Sequence, residues 1–205
     1  MHPPAETKRW LEHRISRFHL LQLPRLNDGM RLPGREGRTT AAAVLVPIVN
    51  RPDGLTLLLT QRSDTLPDHP GQISFPGGRQ EPDDGSAAET ALRESEEEIG
   101  LDRSHVEILG EVGSYETVTG YSVVPVVGWV EPPIELTTDP VEVAEAFEVP
   151  LSFVLDPDNF VQRQREVNGL VRHYFECPWQ GRHIWGATAA MILLFSYALA
   201  APIPE

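Results

Sequence analysis

Apolar residues fall into short continuous runs separated by polar turns, a pattern typical of a domain that mixes strands with helices. One run of strand type extends from Thr40 to Val49, and a second extends from Leu55 to Thr60. The Pro-Asp-Gly sequence between them favours a tight turn, so the two runs are expected to form a hairpin. Further strands are predicted at Val106 to Tyr115, Tyr121 to Val130, Ala146 to Leu151, Phe160 to Val167 and Leu170 to Glu176, with a type I′ turn at Asn168-Gly169.

Helices are predicted at both ends of the chain. The N-terminal segment MHPPAETKRWLEHRISRF has charges spread through it, which is typical of an amphipathic helix and unlike a secretory signal. The stretch from Ile184 to Ile203 carries no Asp, Glu, Lys or Arg, so a membrane span is one interpretation. Its polar residues, its early prolines and its lack of basic flanks favour a buried helix from about Gly186.

The clearest helix signals lie in the middle of the chain. Ser86 is a favourable N-cap and Glu89 completes a Ser-x-x-Glu capping box, while Gly100 can adopt the left-handed conformation that ends a helix. The helix is therefore predicted to run from about Ala87 to Ile99. One narrow stripe is expected to pack on a sheet: Ala88, Ala91, Leu92, Ser95 and Ile99.

Taken together, helices at both ends and in the middle of a mostly hydrophobic mixed sheet predict a layered α/β/α sandwich. No long linker or internal repeat interrupts the chain, so residues 1–205 are expected to form a single domain. Residues 1–39 would be its N-terminal helix and extension.

Carboxylates collect beside the predicted stripe of the central helix. Glu94 and Glu98 lie one turn apart, and Glu97 follows Arg93 at the spacing that allows an ion pair across one turn. Like charges one turn apart weaken an isolated helix, and a bound divalent cation would explain them, because clustered carboxylates suit Mg²⁺ or Mn²⁺. A solvated acidic face is the alternative, and for a glutamate-rich helix taken alone it is the better one.

The composition limits the partners and the compartment. The formal net charge is −13, which argues against sequence-independent binding to nucleic acid, because Lys and Arg carry that binding. An anionic substrate would then need a metal ion. The single cysteine, Cys177, excludes an internal disulfide and fits a reducing compartment, so a cytoplasmic protein is expected. The oligomeric state stays open, a homodimer included.

The segment GGRQEPDDGSAAETALRESEEEIGL, from Gly77 to Leu101, closely resembles the Nudix box, the loop-helix-loop signature of hydrolases that cleave nucleoside diphosphates linked to another moiety. The resemblance implies a Nudix-type α/β/α sandwich. Two departures are one extra residue before the box arginine and Ser95 in place of an aliphatic residue. The first displaces the box glutamate, for which Asp84 and Glu81 are the nearest acidic residues. The matching positions are Gly78, Arg93, Glu94, Glu97, Glu98, Gly100 and Leu101.

The same resemblance implies roles for the box residues. Glu94 and Glu98 would hold Mg²⁺ or Mn²⁺, with help from Glu97 and from the backbone carbonyl of Gly77. Arg93 would orient Glu97, and these two are the expected catalytic residues, with Glu97 the first choice for the general base.

Other residues are expected to contact the substrate or to serve in place of Glu97. Gly78 allows close approach of the backbone, and Arg62 can pair with a phosphate, although a surface salt bridge explains Arg62 equally well. Glu142 and Glu145 are the alternatives for the general base, and a solvated loop explains both more simply.

Upstream, LLTQRSDTLPDHPGQISFPGG from Leu58 to Gly78 resembles the narrower signature of the coenzyme A pyrophosphatase branch, in which the longer box is also usual. The tail, with Pro178-Trp179 and IWGATAAMIL, is similar to this branch as well. Pro67 stands where the signature usually has a basic residue. The resemblance implies a metal-dependent diphosphate hydrolase of coenzyme A or acyl-CoA, in which activated water attacks phosphorus to give 3′,5′-ADP and 4′-phosphopantetheine or its acylated form.

Two alternatives remain open. The first is a Nudix hydrolase of another nucleoside diphosphate derivative, such as ADP-ribose, a dinucleoside polyphosphate or NADH. The second is a non-catalytic nucleotide-sensing module of the same fold, which would normally have lost part of the glutamate set that is intact here. The expected partner is a small nucleotide substrate, with neither nucleic acid nor a membrane.

Overall fold

A computed structural model describes residues 4–21, 39–167 and 169–200. Its helices are α1 (Pro4–Ser16), α2 (Ala87–Ile99), the short α3 (Leu151–Val154) and α4 (Gly186–Ala200). Its strands are β1 (Thr40–Arg51), β2 (Gly54–Arg62), β3 (Ile73–Ser74), β4 (Gly77–Arg79), β5 (Val106–Glu111), β6 (Tyr115–Glu116), β7 (Tyr121–Val130), β8 (Val143–Pro150), β9 (Val161–Val167), β10 (Leu170–Trp179) and β11 (Arg182–Trp185). The central helix has the predicted bounds.

Strand β1 lies at the centre of the main sheet, whose order is β3-β2-β1-β7-β5. It runs parallel to β7 and antiparallel to β2, and β4 pairs beside its first half. Strand β8 pairs with β2, and β6 pairs with β7. Strands β9, β10 and β11 form a second, antiparallel sheet. The parallel pairing of β1 with β7 makes the main sheet mixed, as predicted.

Different helices cover the two faces of the main sheet, because alternate residues of β1 point to opposite faces. Ala43 and Leu45 pack in one cluster with Ala91 and Ile99 of α2. The opposite face packs with α1 and α4 through residues that include Ala42, Val46, Ile48, Leu11, Ile15, Ile192 and Phe195. The structure is an α/β/α sandwich, with the acidic helix on one face.

The predicted strand from Val106 to Tyr115 is wrong as a single element. β5 ends at Glu111, and the short β6 begins at Tyr115. Gly110 (φ 141°) and Gly113 (φ 77°) both adopt conformations that favour glycine, and the pairing with β7 shifts register at Gly110. The ladder therefore bends and breaks where the apolar pattern continues.

The second sheet is larger than predicted. β10 continues past Glu176 to Trp179 and pairs with β11, which the apolar pattern does not indicate. The pairing of Val167 with Leu170 confirms the predicted hairpin, while its turn residue Asn168 lies outside the described residues. The bounds of β8 also differ, since this strand begins three residues before Ala146 and Leu151 already belongs to α3.

Both terminal helices are confirmed. α1 follows the predicted amphipathic segment, and the rest of the predicted extension, residues 22–38, lies outside the described residues. Most side chains of α4 are buried, which agrees with a helix packed on the sheet. Among the described helices, none has the length and apolar character needed to cross a membrane.

Cys177 should be unreactive in the folded protein. It lies fully buried on β10, and burial raises the pKa of its thiol to about 11. Both the reagent's access and the thiolate are therefore missing at neutral pH. We expect an aromatic disulfide reagent to label Cys177 only after unfolding in guanidinium chloride, with Cys177→Ala as the blank. Rapid labelling of the native protein would contradict this burial.

Candidate active site

Both predicted caps of α2 are present. The Ser86 Oγ accepts a hydrogen bond from the Glu89 N–H (3.2 Å), and the Glu89 carboxylate accepts one from the Gly85 N–H (2.7 Å). At the other end, Gly100 (φ 65°) donates its N–H to the Glu96 carbonyl oxygen (3.0 Å). These caps fix where α2 begins and ends, and so they fix the direction of its carboxylates.

The predicted apolar stripe of α2 faces the sheet. Ala91, Ser95 and Ile99 are buried, and Ala88 and Leu92 are half-buried. The Ser95 hydroxyl donates to the Ala91 carbonyl oxygen (2.6 Å). A serine is therefore accommodated where the Nudix box has an aliphatic residue, because its polar atom is satisfied within the helix.

The glycine loop before α2 packs closely between β1 and Glu94. Gly77 has a φ of 151°, and a Cβ there would lie 2.4 Å from the Ala43 carbonyl oxygen. A Cβ on Gly78 would lie 2.5 Å from the Glu94 carboxylate. Position 77 therefore requires glycine, because its φ is positive and its neighbours are backbone atoms, whereas a side chain at position 78 would displace the Glu94 carboxylate. The Gly77 N–H donates to Glu98 Oε2 (3.1 Å), so the structure shows a contact of its amide with the glutamate.

Glu94 and Glu98 form a shielded pair of carboxylates beside this loop. Glu98 is 5% exposed, and the side chain of Glu94 is 16% exposed. Burial is the main reason that the pKa of Glu98 is raised to about 8, and the Glu94 and Glu142 carboxylates act in the same direction. Burial also raises the pKa of Glu94, which Arg93 opposes. The negative charge of either carboxylate is thus disfavoured without a bound cation, because little water can solvate it.

Arg93 is the centre of the charge network. Its Nε and Nη2 donate to the two carboxylate oxygens of Asp84 (3.0 and 2.9 Å), and its Nη1 donates to Glu97 Oε2 (3.0 Å). Nη1 also lies 3.0 Å from Glu94 Oε1, and Nη2 donates to the Arg79 carbonyl oxygen (3.0 Å). The contact with Glu97 confirms the predicted pair across one turn. Arg93 therefore ties the loop to the helix and positions two glutamates.

Of the two acidic residues nearest to the displaced box position, Asp84 is the one that binds Arg93. Its side chain is only 7% exposed, and it also accepts hydrogen bonds from the Glu81 N–H and the Thr90 hydroxyl (2.9 Å each). Arg93 first, and then these donors, hold the pKa of Asp84 far below its usual range. The extra residue in the loop thus moves the acidic partner without removing it.

Replacing Asp84 by asparagine should lower the melting temperature at pH 7 by about 4 °C or more. Because the pKa of Asp84 is lower in the folded protein than in the unfolded chain, its carboxylate stabilises the fold at pH values above the unfolded-chain pKa, near 3.9. This contribution is lost as the pH falls below that pKa. The gap between wild type and D84N should therefore narrow below about pH 4, as followed by circular dichroism. The neighbouring exposed Asp83→Asn is the control, and a gap that does not change with pH would contradict the assignment.

Glu97 and Glu145, the first choice and one alternative for the general base, are both held by arginines. The side chain of Glu97 is 60% exposed and is bound to Arg93. Glu145 accepts from Arg182 Nη2 (2.7 Å), and that guanidinium lies 4.3 Å from the centre of the Phe147 ring. Glu145 therefore takes part in a surface ion pair, which favours the simpler interpretation of this residue.

Glu142 lies closer to the buried carboxylates. It is exposed, yet its charge raises the pKa values of both Glu94 and Glu98. Its loop is fixed by Asp139, whose N–H donates to the Glu98 carbonyl oxygen (2.9 Å) and whose carbonyl oxygen accepts from the Glu142 N–H (3.1 Å). A backbone link at the end of α2 thus brings a carboxylate that is distant in sequence to the site.

Arg62, at the end of β2, supplies a cation next to these acids. Its charge lowers the pKa of Glu98, against the effect of burial. Its Nε is buried and has no hydrogen-bond partner. The surface salt bridge that the sequence leaves open does not form within the described part of the chain. A buried N–H without an acceptor fits an oxygen of an anionic ligand.

Comparison with known proteins agrees with this geometry. Residues 39–168 match the family model of the NUDIX domain. The chain belongs to the Nudix family. Nudix hydrolases act on nucleoside diphosphate derivatives and generally use divalent metal ions, so the chain is a pyrophosphatase of this broad class.

Two bacterial relatives cover nearly the whole chain. A protein of Yersinia enterocolitica described as "Uncharacterized Nudix hydrolase NudL" is 40% identical over 189 residues, which are 92% of this chain and 92% of the relative. Its counterpart in Photorhabdus laumondii is 42% identical over 182 residues, or 87% of this chain and 91% of the relative. The crystal structure of a C. elegans Ap4A hydrolase binary complex aligns with a TM-score of 0.47 and 20% identity, covering 54% of this chain and 80% of that one.

The Nudix carboxylates fit a divalent ion by charge and by donor type. Glu98 is influenced by the charges of Glu94, Glu142 and Arg62, while Arg93 contacts both Asp84 and Glu94. Among the described residues, no three His, Cys, Asp or Glu side chains already stand in an arrangement that could hold a metal ion. Binding an ion would therefore require the glutamate side chains to rotate toward one point, which their flexible stems allow.

Two residues of the Nudix site are absent from the sequence-based prediction. Thr90 is buried and joins Asp84 to the Ser86 carbonyl oxygen through its hydroxyl. The signal available in the sequence was a hydroxyl one turn before Glu94 on the same side of the helix. Asp139 joins the Glu142 loop to α2 through its backbone, and no spacing along the chain could have indicated that contact.

Proposed function

We propose that this Nudix hydrolase cleaves coenzyme A or acyl-CoA in a metal-dependent reaction, giving 3′,5′-ADP and 4′-phosphopantetheine or its acylated form. The observation that carries the proposal is the contact between two parts of the chain. The segment from Leu58 to Gly78, which resembles the coenzyme A signature, lies against the carboxylates of α2. The Arg62 N–H donates to the Gln72 carbonyl oxygen (2.9 Å), and the Gly77 N–H donates to Glu98. The Gly77 end of the segment is thus bonded to the acidic pair, and Arg62 lies near enough to Glu98 for its charge to lower the pKa of that carboxyl.

The residues take the following roles in this proposal. Glu94 and Glu98, with Glu97, hold Mg²⁺ or Mn²⁺, and the carbonyl of Gly77 assists. When bound, the ion supplies charge neutralisation for the diphosphate and lowers the pKa of water. Arg93 keeps Glu97 in place. Their arrangement needs no covalent intermediate.

Arg62 and Gly78 contact the diphosphate in this proposal. The buried, unpartnered Nε of Arg62 supports a hydrogen bond to a phosphate oxygen. A Cβ on Gly78 would lie 2.5 Å from the Glu94 carboxylate, so the lack of a side chain keeps the Gly78 backbone directly beside a proposed metal ligand. Pro67 is exposed on the signature loop and offers no charge for a further phosphate contact.

The water loses its proton to a carboxylate as its oxygen bonds to phosphorus and the anhydride P–O bond breaks. Glu97 is our first assignment for this base, and Glu142 is the alternative that the charge distribution supports. The acidic limb of the kcat profile against pH distinguishes them, because only removal of the base eliminates that limb. We expect Glu97→Gln to lose it and Glu142→Gln to keep it; the reverse result would move the role to Glu142.

A substrate panel with and without divalent ions tests the proposed substrate. We expect mass spectrometry to show 3′,5′-ADP and 4′-phosphopantetheine from coenzyme A with Mg²⁺ or Mn²⁺, and neither product in EDTA. If coenzyme A survives while ADP-ribose, NADH or a dinucleoside polyphosphate is cleaved, the substrate assignment fails and the Nudix chemistry stands. If no member of the panel is cleaved but a nucleotide binds, the chain is a sensing module.

A further inference from the structure

The second sheet carries unusual positive charge for so acidic a chain. Residues 161–185 include four arginines and two glutamates, whereas the whole chain has 17 Lys and Arg against 30 Asp and Glu. The side chains of residues 161–166 on the edge strand β9 are all exposed. The local excess of arginine therefore lies on a surface that a ligand can reach.

Three of these arginines share one face of the sheet. Arg165 stands directly opposite Arg172 in the pairing of β9 with β10, and Arg163 stands opposite Tyr174. Opposed residues point to the same side and successive residues alternate, so all four side chains belong to one side. We call this side the arginine face.

In the part of the chain that the structure describes, no acidic residue neutralises Arg165 or Arg172, the central pair of the arginine face. Glu176 on the same side is already engaged, since it accepts from Arg163 Nε (3.0 Å) and lies 2.5 Å from His183 Nε2. Within the described residues, neither Arg165 nor Arg172 has an ion pair, and Arg172 Nε and Nη1 are shielded from solvent without a hydrogen-bond partner. Like charges directly opposite each other destabilise a sheet, and unpaired buried N–H groups add to that cost.

A second copy of the chain does not remove this charge by pairing along β9. A two-fold antiparallel pairing centred on Gln164 would place Arg163 opposite Arg165. Centring it on either arginine would place that arginine opposite its own copy. Each of these three registers brings like charges together, so none of them would relieve the unpaired arginines.

We propose that Arg165 and Arg172 bind a phosphoryl group on the arginine face. Two guanidinium forks from neighbouring strands suit the several oxygens of a phosphate monoester dianion. Tyr174 lies beside the pair on the same face, with the Trp185 ring edge-on at 5.6 Å between centroids, so a phosphate attached to a larger organic group has an aromatic neighbour. The site uses none of the residues of the carboxylate cluster and does not rest on the proposed function.

Titration of ¹⁵N-labelled protein with inorganic phosphate in EDTA, at constant ionic strength, tests the site directly. Without a metal ion the carboxylate cluster repels phosphate, so shifts should concentrate in the amides of β9 and β10. Removing one charge-assisted partner, in Arg165→Gln or Arg172→Gln, should weaken binding about tenfold. Arg51→Gln is the matched control, because Arg51 is already paired with Glu148 (2.6 Å).

The spectra also show whether each variant is folded, and the exposed Arg165 provides a test if Arg172→Gln does not fold. Absence of shifts in these strands, or phosphate binding by both variants equal to that of wild type, would overturn the proposal.

Kinetics with the Mg²⁺-loaded enzyme distinguish whether the bound phosphate belongs to the substrate or to a separate molecule. This second experiment rests on the proposed function. If the substrate supplies it, Arg165→Gln should raise KM for coenzyme A about tenfold, without changing KM for the analogue that lacks the 3′-phosphate or kcat for either. If a separate phosphorylated molecule supplies it, both KM values should stay unchanged while phosphate binding is lost. Either result supports the site.

Discussion

Replacing Glu98 by glutamine should lower kcat of the Mg²⁺-loaded protein about 10³-fold with the fold preserved. Loss of an anionic ligand removes charge stabilisation worth several kcal/mol, and about 1.4 kcal/mol corresponds to tenfold in rate. Glutamine keeps an acceptor for the Gly77 N–H, which donates to Glu98 over 3.1 Å. Steady-state kinetics with the best substrate of the panel measures the effect.

The pH dependence of stability in metal-free E98Q provides an independent test of the environment of Glu98. Because the folded-state pKa of Glu98 is raised to about 8, the folded protein holds a proton that the unfolded chain releases near 4.3. Wild-type stability in EDTA should thus fall as the pH rises between these values, and E98Q should lack that decline. The matched control is Glu96→Gln, on the same helix but paired with Arg103. A kcat for E98Q within about tenfold of wild type would remove the proposed role of Glu98.

Replacing Gly77 by alanine should lower the free energy of unfolding by about 3 kcal/mol or more and reduce kcat about 100-fold. The new Cβ would meet the Ala43 carbonyl oxygen at 2.4 Å and Val44 Cα at 2.5 Å. These are backbone atoms of the central strand, so β4 must move away and carry the contact with Glu98 with it. Guanidinium chloride unfolding and steady-state kinetics measure the two effects.

Gly54→Ala separates the steric contribution from the backbone strain. Gly54 has a comparable φ of 132°, but nothing lies within 4 Å of the position its Cβ would take. We expect a cost of about 1 kcal/mol and unchanged kcat. Equal losses of stability in Gly77→Ala and Gly54→Ala would show that the close approach of Gly77 to β1 does not contribute to the loss.

Local signals predicted α2 accurately because its determinants lie within a short stretch. Ser86 and Gly100 cap it as expected, and Arg93 reaches Glu97 as the helical spacing requires. That spacing does not explain why Glu97 is exposed while the adjacent Glu98 is buried. This difference depends on how the glycine loop packs against α2. The sequence left Asp84 and Glu81 as candidates for the acidic partner of Arg93, because spacing along the chain does not determine the conformation of the loop.

The tertiary contacts of the site were beyond local sequence patterns. The sequence does not distinguish Glu142 from Glu145 as a candidate base, yet among the described residues Glu145 is paired with an arginine, Arg182 on β11, and Glu142 is not. That strand was not predicted, because its four residues are too short for a periodic signal.

Titration of the metal-free protein with Mn²⁺ tests the central claim most directly. Electron paramagnetic resonance reports free Mn²⁺, and therefore the fraction that wild type, E98Q and E96Q each bind. We predict that wild type and E96Q bind Mn²⁺ alike and that E98Q binds it at least about tenfold more weakly. Equal binding by wild type and E98Q, or no binding by wild type, would contradict a divalent-ion site built on Glu94 and Glu98.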